Sequence, residues 1–197
     1  MRLRLLRYLP NALSGLRLAA VPALVAAAAL GAGPVFTWIL IPALISDALD
    51  GFIARRFRLE SELGARLDSL ADSLLFFSAV VGVSAFHREV IASHVAACAL
   101  MVTAWLLENL AALLRYGRLS SFHTYASKAA GYLLALFIGT LFVWRFVPAL
   151  FYGAIGLSVI ANAEELVLMW RLPDWRANVR GLYWLERRPP ARTSSGD

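Results

Sequence analysis

Residues 35–57 read VFTWILIPALISDALDGFIARRF, and residues 65–86 read ARLDSLADSLLFFSAVVGVSAF. Each stretch is long and apolar enough to cross a bilayer as a helix, since a crossing needs about 20 residues. Yet the first carries Asp47 and Asp50 towards its end, and the second carries Asp68 and Asp72 towards its start. Because one carboxylate in a transmembrane helix costs about 2.5–3.5 kcal/mol on insertion scales, the four acids indicate a functional site.

The composition of the whole chain is typical of an integral membrane protein. Of its 197 residues, 60% are hydrophobic and 16% are charged, with a mean hydropathy of +0.66, which excludes an ordinary soluble domain. We predict an all-α, polytopic bundle of six transmembrane helices within a single domain over 1–188. A short interfacial amphipathic helix at 1–9 would precede the bundle, and a disordered tail would occupy 189–197. The predicted spans lie near 12–30, 35–57, 65–86, 90–114, 129–147 and 149–170.

The basic residues predict the orientation of this bundle. The net charge is +6, which could suggest nucleic acid, but the distribution of the charge favours a lipid bilayer instead. Seventeen of the 19 Lys and Arg residues fall on one side of the predicted spans, and only Arg88 and Arg145 fall on the other. The positive-inside rule therefore places both termini, the 55–66 and 115–128 loops and the aspartates on the cytoplasmic side.

Helical spacing groups the four acids into two pairs. Residues three or four apart share a helix face, so Asp47 projects with Asp50, and Asp68 projects with Asp72. Two such helices packed side by side would present all four carboxylates to one site. Hard divalent cations would offset the repulsion, because they take oxygen ligands from carboxylates and from substrate phosphates.

Small and basic residues accompany the acids. Gly51, Ala54 and Gly64 remove side-chain bulk and would allow close approach of a neighbouring helix or a ligand. Arg55 adds a fixed cation whose geometry suits phosphate oxygens. The set therefore predicts a site for a phosphate-bearing ligand and divalent cations.

Taken together, these residues form one continuous pattern, Asp47-x-x-Asp50-Gly51-x-x-Ala54-Arg55, then eight residues, then Gly64-x-x-x-Asp68-x-x-x-Asp72. The pattern resembles the signature of the CDP-alcohol phosphotransferases, membrane enzymes that join an alcohol to a phosphate held as a CDP ester. A shorter likeness lies upstream, where Pro10-Asn11-Ala12-Leu13 is followed by Ser14 and Arg17, similar to the motif ahead of the first span in many members.

The resemblance implies roles for these positions. Asp47, Asp50, Asp68 and Asp72 would bind Mg²⁺ or Mn²⁺ as a two-ion site, with Asp47 and Asp68 shared, and Asp72 would also be the catalytic general base. A further set of residues would contact the substrate: Pro10, Asn11, Ala12, Leu13, Arg17, Gly51, Arg55, Ser61 and Gly64.

The implied reaction moves a phosphatidyl group from CDP-diacylglycerol to an alcohol, with release of CMP, in phospholipid biosynthesis. Basic residues after the fourth span, including Arg118 and Lys128, suit a phosphorylated acceptor such as glycerol 3-phosphate, and phosphatidylglycerophosphate synthases resemble the chain in size and in this lysine. However, Lys128 is followed by Ala129, Ala130 and Gly131, whereas those enzymes follow it with a further lysine and a threonine. Inositol phosphate, serine and other alcohols therefore stay open as acceptors.

Two further expectations concern the protein as a whole. By resemblance, it would be a homodimer in a bacterial cytoplasmic membrane. A small cation transporter is the alternative of another class, because acids on facing helices also mark ion pathways. The enzyme is favoured because few polar residues continue along the second and third spans beyond the acids.

Overall fold

The computed structural model consists of helices and short connections, with no strand, over the part of the chain that it describes. It describes the backbone of residues 9–57, 62–117, 124–172 and 181–182, and the side chains of 12–46, 70–117, 124–172 and 181–182. The all-α prediction is confirmed for these residues. In chain order the helices there are α1 (Leu9–Ala29), α2 (Gly33–Phe57), α3 (Glu62–Phe86), α4 (Arg88–Ser93), α5 (Val95–Tyr116), α6 (Tyr125–Val143) and α7 (Pro148–Arg171).

Several of these helices have the length and composition of membrane spans, as expected for a membrane protein. Four qualify over their described residues: Ala12–Ala29, Val95–Tyr116, Tyr125–Val143 and Pro148–Arg171. The apolar stretches Gly33–Ser46 and Leu70–Phe86 are shorter over the side chains that are described, so the count of six spans stays a prediction.

Both predicted terminal segments lie largely outside the described residues. The interfacial helix at 1–9 overlaps them only at Leu9, which is already the first residue of α1. The predicted tail at 189–197 falls entirely outside them.

The span predicted near 90–114 is divided into two helices. Helix α4 ends at Ser93 and helix α5 begins at Val95, with His94 between them. The backbone N–H of His94 donates to the Ile91 carbonyl at 3.2 Å, and its Nδ1 lies 3.0 Å from the Val90 carbonyl oxygen. Local hydrogen bonds thus satisfy backbone groups at the break, and the sequence is apolar again from Val95 onwards.

The described residues separate into two compact units. The described part of the first comprises residues 9–57, 62–95 and 138–147, and that of the second comprises 96–117, 124–137, 148–172 and 181–182.

In the first unit, helix α1 packs against both α2 and α3. The buried stripe of α3 repeats every three to four residues, the period of a helix with one face in a core. Its members are mostly small, which allows close approach of neighbouring helices. They are Ala71, Leu75, Ser78 and Ala79.

A tight turn connects α1 to α2 and keeps them adjacent. Gly31 has a φ of +67°, a conformation that glycine adopts at little cost. The Ala32 N–H donates to the Ala27 carbonyl at 2.9 Å, and the Gly31 N–H donates to the Ala28 carbonyl at 3.2 Å. This is a Schellman motif, which satisfies the last carbonyls of α1.

An aromatic cluster packs in the first unit at the start of α2, the end of this helix that lies away from Asp47. The fully buried Phe36 ring lies 5.2 Å from the ring of Phe142 and 5.5 Å from the ring of Phe86, measured between centroids. Gly82 of α3 faces the same Phe36 ring so closely that a Cβ at this position would overlap it. Glycine at 82 is therefore a packing requirement.

In the second unit, the end of α5 is bonded to the end of α7. The Tyr116 hydroxyl donates to the Leu172 carbonyl at 2.9 Å, and Arg115 donates to the same carbonyl at 3.2 Å. Ala112, Met169 and Leu172 form a buried cluster beneath these bonds. The carbonyl of Leu172, one residue after the end of α7, is satisfied in this way, and the Tyr116 hydroxyl also lies 3.2 Å from the Met169 carbonyl oxygen in the last turn of α7.

Candidate active site

The four motif aspartates lie on two helices of the first unit. Asp47 and Asp50 belong to α2, and Asp68 and Asp72 belong to α3. Both helices pack on α1, and they also contact each other. The side chains of Asp47, Asp50 and Asp68 fall outside the described residues, so the convergence of the four carboxylates stays a prediction.

Asp72, the predicted general base, forms an ion pair with Arg17 of α1. The Nη1 atom of Arg17 donates to the Oδ1 atom of Asp72. The two ends of the pair differ in environment, because the Arg17 side chain is fully buried whereas the Asp72 side chain is 44% exposed. The carboxylate is therefore anchored from inside the helix pack and remains accessible from outside it.

A second hydrogen bond orients the Arg17 guanidinium. Its Nη2 atom lies 3.4 Å from the hydroxyl oxygen of Ser14, which is one turn earlier on α1 and is also buried. The resemblance implied that Arg17 contacts the substrate. The structure shows this side chain directed between helices, with hydrogen bonds to Asp72 and Ser14, and the substrate contact stays a prediction.

Most other predicted contact residues are described only in part. Ala12 is exposed and Leu13 is half-buried at the start of α1. Ser61 and Arg118 lie outside the described residues. The backbone alone is described for another group, all of it helical: Pro10 and Asn11 in α1, Gly51 and Arg55 in α2, and Gly64 in α3.

Lys128, the predicted acceptor contact, is exposed in the first turn of α6. Thr124 precedes this helix and caps it, since its hydroxyl oxygen accepts the Ser127 backbone N–H at 3.1 Å. Arg115, from the same basic cluster of the sequence, donates to the carbonyl of Leu172 and has a structural role there.

The predicted donor set suits a divalent cation. Carboxylate oxygens are the ligands that Mg²⁺ and Mn²⁺ take in proteins, and pairing with Arg17 leaves Asp72 accessible. Among the side chains that the structure describes, no three His, Cys, Asp or Glu residues come close enough to hold a metal ion. The side chains of three of the four motif aspartates lie outside that part of the chain, so the metal site stays a prediction.

Two buried glutamates belong to the second unit and not to the motif. Glu108 of α5 is 4% exposed and Glu165 of α7 is 5% exposed. In the sequence, both look like ordinary acids near the end of an apolar run, so the sequence did not predict that they are buried. The neighbouring Glu164 accepts the backbone N–H of Leu182 at 2.9 Å.

A family model covers the motif region and most of the chain, and individual relatives match shorter segments. Residues 7–170 match the family model of the CDP-alcohol phosphatidyltransferases. A 76-residue segment, 37% of the chain, is 45% identical to CDP-diacylglycerol--glycerol-3-phosphate 3-phosphatidyltransferase 2 of Arabidopsis thaliana and covers 33% of it. An 82-residue segment, 39% of the chain, is 39% identical to a probable phosphatidylglycerophosphate synthase of Mycobacterium tuberculosis (strain CDC 1551 / Oshkosh) and covers 39% of it.

The matched segments thus span between about a third and two fifths of these two curated relatives. No solved structure matches the chain significantly.

Proposed function

The chain belongs to the CDP-alcohol phosphatidyltransferase family, and from this membership we propose that it transfers a phosphatidyl group from CDP-diacylglycerol to glycerol 3-phosphate. The family match over residues 7–170 carries the reaction class. The acceptor rests on the names of the relatives, one a glycerol-3-phosphate 3-phosphatidyltransferase and one a probable phosphatidylglycerophosphate synthase. The exposed Lys128 is consistent with a phosphorylated acceptor.

The proposed reaction is a single displacement at phosphorus. The acceptor hydroxyl oxygen forms a bond to the phosphorus that carries the diacylglycerol, and the bond from that phosphorus to CMP breaks. CMP leaves with the bonding electron pair, and the hydroxyl proton passes to Asp72 as general base. No covalent intermediate with the protein is needed, so the work of the residues is positioning and charge stabilisation.

The family is generally metal-dependent, and we assign the metal site to the four motif aspartates. Asp47, Asp50, Asp68 and Asp72 would hold two Mg²⁺ or Mn²⁺ ions. Bound there, the ions would neutralise the diphosphate and the departing CMP. Asp72 supports this assignment, because it is an accessible carboxylate on a helix whose preceding turn carries Asp68.

The remaining motif residues would bind the two substrates. Gly51, Arg55, Ser61 and Gly64 would contact CDP-diacylglycerol, with the residues at 10–13 beside them. Arg118 and Lys128 would contact the phosphate of the acceptor. We place the site and both chain termini on the cytoplasmic side of a bacterial membrane, from the distribution of Lys and Arg, and we expect a homodimer.

The proposed reaction is tested with the purified full chain in detergent. We expect CMP release from CDP-diacylglycerol with glycerol 3-phosphate, and a phosphatidylglycerophosphate product identified by mass spectrometry. Inositol phosphate, inositol, serine and choline serve as the competing acceptors. Faster CMP release with any of these would contradict the acceptor, and no release with all five would contradict the reaction.

Metal dependence is tested in the same assay. We expect excess chelator to abolish CMP release, and added Mg²⁺ or Mn²⁺ to restore it, because the diphosphate charge would otherwise be left without compensation. Full turnover in excess chelator would contradict the metal site.

A further inference from the structure

We propose that Arg17 is a positioning residue for Asp72: its buried guanidinium holds one carboxylate oxygen so that the accessible side of the carboxyl group faces the reacting hydroxyl. This inference rests on the proposed function, in which Asp72 is the general base. It differs from the substrate contact that the sequence motif implied for Arg17.

The burial of Arg17 is the first support for this role. A guanidinium within a membrane helix normally extends towards the interface, where its charge stays hydrated. Arg17 instead is 1% exposed, and it lies five residues into the apolar stretch that begins at Ala12. A charge in such a place is tolerated only when it is paired and hydrogen-bonded, and Asp72 supplies the opposite charge.

The shape of the guanidinium is the second support. It is planar and rigid, and its N–H groups point in fixed directions. One nitrogen bonds Asp72 and another faces Ser14 of its own helix, so the group cannot turn without giving up one of these contacts. The fully buried Ala71 sits next to Asp72 on α3. Helix α1 thereby fixes the orientation of a side chain on α3.

The exposure of Asp72 explains why such fixing matters. A partly exposed aspartate is free to turn its carboxyl group, whereas a catalytic group must be held within about 0.5 Å and 10–20° of its working geometry. An anchor on one oxygen restricts this rotation without covering the carboxylate. The loss of Arg17 should then slow the chemical step and leave substrate binding unchanged.

The kinetic test compares three variants with wild type. We expect Arg17→Met to lower kcat by about 10- to 100-fold, the range found when residues that hydrogen-bond to metal ligands are removed, with KM for CDP-diacylglycerol unchanged. Arg17→Lys keeps the charge and should recover part of kcat. Arg145→Met is the matched control, because it removes an exposed arginine on the first unit that takes no part in the proposed site.

The opposite pattern, a changed KM with an unchanged kcat, would overturn the proposal. A rise in KM for CDP-diacylglycerol with kcat preserved would make Arg17 a substrate contact, and an unchanged kcat and KM would give it no role. Should Arg17→Met fail to fold, Arg17→Lys and Ser14→Ala carry the test. Ser14→Ala should lower kcat by less than Arg17→Met does, again without a change in KM.

Thermal unfolding of the metal-free protein tests the contact without any turnover. Wild type, Arg17→Met, Asp72→Asn and the double variant form a double-mutant cycle. We expect both single variants to lower the melting temperature and the double variant to lower it by less than the sum, since each single change already removes the contact between the two side chains. Additive shifts would overturn the pairing.

The two proposals fail in different ways. A wild-type chain that releases no CMP refutes the proposed function, whatever the cycle shows. A wild-type chain that turns over, together with an Arg17→Met variant that keeps its kcat, refutes only the positioning role.

Discussion

For Arg17, the structure gives the contacts of the side chain, which its position in the sequence does not give. Its motif identified it as functional, because an arginine inside an apolar span needs a reason to be there. Its partner could not be read from the sequence, since Asp72 is 55 positions further along and the contact depends on how α1 packs on α3. The residue type therefore indicated that Arg17 is functional, but it did not indicate which residue Arg17 contacts.

At the same scale, Gly82 gives a sharp test of packing in the first unit. We expect Gly82→Ala to lower the free energy of unfolding by about 1–3 kcal/mol, the usual cost of overpacking. A Cβ at this position overlaps the Phe36 ring, and that ring is buried and flanked by Phe86 and Phe142, so it has little room to move. Thermal unfolding in detergent measures the change.

Gly156 provides the matched control for Gly82. It lies within helix α7, is exposed, and has nothing within 4 Å of an added Cβ. Gly156→Ala should be neutral or stabilising by up to about 1 kcal/mol, because alanine favours a helix over glycine. Equal destabilisation by both variants would show that the Phe36 contact is not what decides the outcome.

Helix existence was predictable at the scale of elements, whereas helix ends were not. Long apolar runs separated by polar or glycine-rich links predicted helices, and the described residues are helical. The break at His94 was missed because apolar residues lie on both sides of the two polar residues there, with Ile91 before and Val95 after Ser93 and His94. Hydropathy registers whether a residue suits lipid, and it carries no information about whether the backbone bends there.

The bond between α5 and α7 gives a prediction for these two elements. We expect Tyr116→Phe to lower the free energy of unfolding by about 0.5–1.5 kcal/mol, the usual net value of a hydrogen bond. The lost hydroxyl donates to the Leu172 and Met169 carbonyls at 2.9 and 3.2 Å. Thermal unfolding measures the shift.

Leu114→Ala serves as the comparison for Tyr116→Phe, since Leu114 is in the same helix and 79% exposed. We expect it to change stability by no more than about 0.5 kcal/mol. A Tyr116→Phe variant as stable as wild type would indicate that Arg115 satisfies the Leu172 carbonyl by itself.

At the scale of the whole molecule, charge predicts which side of the membrane each loop faces. Cys98 is the only cysteine in the chain, so Cys98→Ala gives a background for single-cysteine labelling. In that background, we expect a membrane-impermeant maleimide to label Arg145→Cys on intact cells, and to label Ser120→Cys only after permeabilisation. The reverse pattern would contradict a cytoplasmic active site.

The architecture of the whole was more predictable than its active site. Composition and span length are enough to indicate an all-helical membrane protein, and each motif aspartate can be assigned to a helix by counting. The grouping of Asp47, Asp50 and Asp68 around shared ions depends on helix packing and side-chain direction, which a linear pattern does not encode. Asp72 is the member of the set for which that direction is now described.

The buried Arg17 also bears on how the protein is assembled in the bilayer. Membrane helices are synthesised in order, so α1 leaves the ribosome well before the segment that carries its carboxylate partner. Until α3 arrives, the guanidinium lacks the Asp72 carboxylate with which it pairs in the folded protein. We therefore expect the Arg17–Asp72 pair to form only after α3 has inserted, so that the carboxylate proposed as general base would also hold α1 in the bundle.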